Sequence, residues 1–125
     1  MKLIRRWLAT STPIPEMTAA TVSPHLERAA KPDQFAVFDL PAKNLFVQAK
    51  RMASGGLHIE VSRKTPEVEA LLHTLGEVTM IEDYGFPSVN ASPGDDGRVA
   101  QVIAQVLAML AAQAGVTNLA RVRNG

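Results

Sequence analysis

The chain contains no cysteine in 125 residues. Disulfides, thiol nucleophiles and cysteine-ligated zinc or iron–sulfur centres are thereby excluded. It also lacks an excess of either charge, since 13 Lys and Arg face 12 Asp and Glu for a net +1. Affinity for nucleic acid rests on a strong basic field, so this balance predicts no nucleic-acid partner. Nor is there an unbroken apolar run of about 18 residues, the length that spans a bilayer. The apolar tract near the end is interrupted by Gln101, Gln105 and Gln113, and no integral membrane segment is expected. The opening, MKLIRRWLATSTPIP, is basic but has no apolar core of signal-peptide length. These absences predict a soluble, cytoplasmic protein.

Catalytic signatures are missing too. There is no G-x-S-x-G, no P-loop and no G-x-G-x-x-G. The three histidines, His25, His58 and His73, form no H-E-x-x-H, H-x-H or i, i+4 pair, so the reading carries no metal site and no cofactor. SPGDDGR, Ser92 to Arg98, sets two adjacent acids in a Gly-rich loop. Two neighbouring Asp repel phosphate and the spacing misses a calcium loop, so a turn and helix cap is the better account. Asp39, Glu82 and Asp83 stand without recognisable acid–base spacing.

What is present is a patterned globular composition, 46% hydrophobic and 20% charged, of a length that suits one domain. Leu3, Ile4, Trp7 and Leu8 follow helical spacing. Pro15 opens a second short helix through Val22, and Ser23-Pro24 a third up to Ala30. From Asp33 the pattern turns to strands in QFAVFDL, NLFVQAKRM and GLHIEVS. Thr65-Pro66-Glu67 then caps and starts a helix. Val68, Leu71, Leu72 and Leu75 form its stripe, and Gly76 ends it. VTMIED and SVNAS read as two further strands. Asp95 or Asp96 caps a last helix reaching about Ala114, with its stripe on Val99, Val102, Ile103, Val106, Leu107 and Leu110. The order helices-β-β-β-α-β-β-α predicts an α+β fold, an antiparallel sheet of about five strands with amphipathic helices packed on it. Residues 1–32 are expected as a helical segment, 33–117 as the domain, and 118–125 as a flexible basic tail.

The stretch LFVQAKRMASGGLHIEVS, Leu45 to Ser62, specifies a hairpin and its register. Leu45, Val47 and Ala49 share one strand face, as do Leu57, Ile59 and Val61. Both sets reach one core only if odd positions oppose odd positions, which a three-residue loop over Ala53–Gly55 or a five-residue loop provides. A two-residue turn at Ser54-Gly55 would bury Glu60 and is ruled out. The other face carries Gln48, Lys50, His58 and Glu60, with Lys50 opposite His58 and Gln48 opposite Glu60, or Lys50 opposite Glu60. Phe46 lies on this polar side, so a cover is expected there: the N-terminal helices, a second subunit or a peptide. The last helix adds a second hint of company, because Ala100, Ala104, Ala108, Ala111 and Ala112 form a nearly uncharged side that admits another helix.

The succession of that hairpin, a helix ending LHTLG, a Pro-bearing strand and a long helix finishing AQAGV resembles the type III secretion chaperone-like and YbjN-like domains. There a (Y/F)VQ…GGL…EV hairpin precedes a helix closing in LxxLG. The matching residues are Phe46, Val47, Gln48, Gly55, Gly56, Leu57, Glu60, Val61, Leu72, Leu75 and Gly76, within 35–116. Glu77 departs from the aromatic that tends to follow LG. The resemblance implies a non-enzymatic, chaperone-like module that binds a protein or peptide, often as a homodimer. Phe46, Gln48, Lys50, His58 and Glu60 are the expected protein-binding residues. The competing expectation is a small hydrolase or isomerase using His58, Glu60 and an Asp such as Asp39. A third is membrane association through residues 1–8.

Overall fold

The computed structural model describes residues 12–14, 16–81 and 85–125. In chain order these form β1 (Thr12–Ile14), α1 (Ala19–Arg28), β2 (Phe35–Asp39), β3 (Phe46–Arg51), β4 (Leu57–Val61) and α2 (Pro66–His73). Then come β5 (Val78–Ile81), β6 (Phe86–Ala91), α3 (Asp96–Ala114) and β7 (Ala120–Asn124). The expected helix around Leu3–Leu8 lies outside the described residues, as do Glu82 and Asp83.

The class is α+β, with one antiparallel sheet of seven strands in the order β1-β7-β2-β3-β4-β6-β5. Two strands exceed the expected five. The segment read as a flexible tail is β7, which pairs with β1 on one side and β2 on the other. Ala120 and Val122 are buried there, and Arg121 and Arg123 point to the opposite face. Thr12–Ile14, expected to lie in a break between helices, is the edge strand beside it.

The hairpin has the expected parity. Val47 opposes Val61, Ala49 opposes Ile59, and Lys50 opposes His58. The amide of Met52 donates to Gly56 O at 2.9 Å, closing the three-residue loop Ala53–Gly55. Gly56 has no alternative residue, since a Cβ there would meet the Ala91 carbonyl oxygen at 2.1 Å. Gly55, at φ +93°, takes the left-handed conformation the loop needs.

One face of the sheet carries the core. Phe38, Val47, Leu57, Ile59 and Val61 are sealed against Val22 and Leu26 of α1, Val68 and Leu72 of α2, and Ile103, Leu107 and Leu110 of α3. Burial of each such side chain contributes about 1.5–3 kcal/mol. Helix α2 starts where expected, with Thr65 Oγ1 accepting from the Val68 amide at 3.1 Å. Helix α3 ends on Gly115 at φ +67°. It is long and apolar enough to cross a membrane by composition, but its stripe from Val99 to Leu110 is buried on the sheet.

Two expectations for the helices change. The two short helices after Pro15 are a single α1, begun by a reciprocal cap between Thr18 and Thr21 and continuing through Pro24. Its stripe of Val22, His25 and Leu26 spans the supposed break, and its burial outweighs the cap signal at Ser23-Pro24. Helix α1 also lies against α3, where Ala100, Ala104 and Ala111 are buried within the chain. The close approach that those alanines allow is therefore used inside the molecule, and only Ala108 and Ala112 remain exposed.

Arg51 closes the structure at the end of β3. It occupies an odd position, so it points to the core side, where it is only 6% exposed. All five N–H groups find acceptors. Nε donates to Ala29 O at 2.7 Å, and Nη1 to Gly55 O at 2.9 Å and Asp96 Oδ1 at 3.0 Å. Nη2 donates to Leu26 O at 3.1 Å and Asp96 Oδ2 at 2.9 Å. A planar fork with five donors suits this arrangement; an ammonium does not. One side chain thus joins the carboxyl end of α1, the hairpin loop and the amino end of α3.

Candidate binding face of the sheet

The side of the sheet turned away from the helices presents the even positions of β3, β4 and β6. Lys50, His58 and Asn90 lie in one row across three strands, and Gln48, Glu60 and Ser88 in the next. All five residues expected at the site, Phe46, Gln48, Lys50, His58 and Glu60, share this face. Lys50 is exposed and the other four are half-buried.

Specific partners order the surface. His58 Nδ1 and Asn90 Oδ1 are 2.6 Å apart, so the ring nitrogen donates to the amide oxygen. The Lys50 ammonium lies 3.5 Å from the Asp33 carboxylate. Both groups are well exposed, so this pair contributes about 0–1 kcal/mol. Phe46 is covered in part by Phe86, edge-to-face at 6.0 Å between ring centroids. The two rings reach each other across Ser62, whose Oγ accepts from the Phe46 amide at 2.8 Å. Asn90 and Phe86 went unrecognised in the sequence; their signal is their even position opposite His58 and near Ser62 once β6 is in register.

The β2–β7 side of this face is charged. Asp39 on β2 sits 3.4 Å from Arg123 and directly opposite Arg121. Burial pushes the Asp39 carboxyl above its ordinary value of 3.8, and the neighbouring Arg123 charge and its hydrogen bond partly offset this. A cleft of about 500 Å³ opens beside it, walled by Ile14, Leu40, Pro41 and Leu119.

These positions do not bring Asp39 beside His58 and Glu60. Asp39 opposes Phe46, whereas His58 opposes Lys50. That offset is about 13 Å along the strands and about 10 Å across them. His58 is engaged by Asn90, and Asp39 by arginine. Among the described residues no group of three or more His, Asp or Glu gathers to hold a metal ion.

Compared with known proteins, the sequence matches no family model and no curated protein, and the structure matches no solved structure.

Proposed function

We propose that the protein is a non-enzymatic binding module, chaperone-like in its mode of action, which docks a segment of another protein on the sheet face turned away from the three described helices. One observation carries this reading. The half-exposed aromatic pair Phe46–Phe86 lies beside a row of hydrogen-bonding groups, Gln48, His58, Glu60 and Asn90, on a face that the three described helices leave uncovered. An apolar anchor flanked by oriented polar groups is how a protein surface combines affinity with selectivity. The residues offer contacts to a ligand but no convergent acid, base and nucleophile for a reaction.

A peptide array probed with the wild-type protein and with a His58→Ala/Glu60→Ala variant tests the reading. A discrete set of peptides retained by the wild type and lost by the variant supports it. Equal retention of scrambled sequences contradicts it.

A further inference from the structure

We propose that the free edge of β5 takes up an additional strand from a partner protein, an extended segment bearing Lys or Arg beside a short alternating apolar run. This edge is distinct from the face around Phe46, and the inference does not rest on the function proposed above.

β5 is the last strand of the sheet, hydrogen-bonded to β6 on one side and to no described strand on the other. The backbone groups that face outward follow from β6. A Cβ on Gly56 would strike the Ala91 carbonyl, and one on Gly76 would meet the Asn90 carbonyl at 3.0 Å. Ala91 therefore turns toward the β4 side and Asn90 toward the β5 side, and alternation turns Ser88 toward β5 as well. Thr79 opposes Ser88 and faces it. Val78 and Met80 consequently direct their N–H and C=O groups away from the sheet. Two donors and two acceptors stand ready for an added strand.

The two edges of the sheet are treated differently. β1 has Pro13 at its centre, a residue that removes a donor and blunts an edge. β5 reads Val-Thr-Met-Ile, with no proline and no charge, and Met80 is 36% exposed. A bare apolar edge invites pairing.

Charge identifies the occupant. Between Lys64 and Arg98 the sequence holds seven acidic side chains and no Lys or Arg. Glu67 and Glu69 lie on α2, and Glu77 immediately precedes β5. Of the seven, Asp96 is held by Arg51, and Arg98 reaches back to donate to Thr74 O at 2.6 Å, so the acidic excess is partly offset at the start of the strand. Pairing β5 with β5 of a second copy would bring two such acidic surroundings together, and facing like charges oppose it. A basic strand is complementary.

The probe is a synthetic peptide of alternating Val and Thr closed by Lys at both ends, with a Glu-ended peptide of the same core as control. Binding of the Lys peptide is expected to weaken with salt. The Val78 and Met80 amides are expected to exchange roughly tenfold more slowly at saturating peptide, while Thr79 is unchanged. Met80→Pro removes an outward donor at a position where an edge strand tolerates proline, and should abolish binding. Glu77→Lys, at an exposed site, should weaken the Lys peptide with the fold intact. Three results overturn the proposal: no protection of Val78 and Met80 at saturating peptide, equal binding of the Glu-ended peptide, or protection of both amides without peptide in a protein that light scattering shows to be a dimer.

Discussion

Arg51 holds both carboxylate oxygens of Asp96 in a two-pronged ion pair, joining the end of β3 to the start of α3. The guanidinium is buried, whereas the carboxylate is about one-third exposed. Removing the acid therefore strands a buried cation, which costs about 3–5 kcal/mol. Asp96→Ala should lose stability of that order in urea denaturation. Arg51→Lys should be similarly damaging, because an ammonium cannot serve the carbonyls of Leu26, Ala29 and Gly55 as well as the carboxylate.

The hairpin loop admits no side chain at Gly56. With the Ala91 carbonyl oxygen 2.1 Å from the position of a Cβ, Gly56→Ala must push β4 and β6 apart. A cost of about 1–3 kcal/mol is expected from such overpacking. Gly55→Ala acts by a different route, through strain at a positive φ, without crowding β6. Amide shifts should spread into β6 for the first variant and stay within the loop for the second.

His25 makes stability pH-dependent. Its ring is buried edge-on against Phe38, and no described group pairs with Nδ1. Desolvation foremost, then the Arg28 charge, lowers its pKa below 6.5, with Asn124 acting weakly in the other direction. As pH falls through 6.5 the unfolded chain takes up a proton that the folded chain refuses, so stability declines until the folded value is passed. Asp39 has the opposite sign, since its raised pKa favours the folded state below 3.8 and that contribution is lost as pH rises through the folded value. Denaturation midpoints should therefore drop between pH 7 and pH 5, and His25→Leu should flatten that slope.

Phe46 and Phe86 support each other on the otherwise polar face. An edge-to-face pair contributes about 0.5–1.5 kcal/mol beyond its burial. A double-mutant cycle with Phe46→Leu and Phe86→Leu should return a coupling of that size. Additive losses would mean that the rings merely share a surface.

Side-chain parity was the legible part of this fold. Val47, Ala49, Ile59 and Val61 declared a common face, but parity alone allowed either a three- or a five-residue loop, and the structure selects the first, with Lys50 opposite His58. The start of α2 was equally plain, because Thr65 acts on a neighbour three residues away. The expected acidic cap of α3 is absent, since Asp95 stands at its N-cap without a side-chain cap hydrogen bond. β7 was hidden because it buries only Ala120 and Val122 beside half-buried arginines, and its strand partners lie far back in the first third of the sequence. Arg51 was hidden for a related reason. A charged residue at a core parity reads as a strand ending, and only the convergence of α1, α3 and the loop supplies its five acceptors. Within the site, the five expected residues did share a face, but Asn90 and Phe86 became visible only with the register of β6.

The binding reading is tested most directly by photocrosslinking from two sides of the molecule. A photoreactive residue at position 50 lies on the sheet face turned away from the three described helices, and one at position 105 lies on the exposed side of α3. Position 50 should yield a discrete adduct with another protein, lost when Phe46→Ala is added, while position 105 yields none. No adduct from position 50, or the same adduct from both positions, contradicts the account.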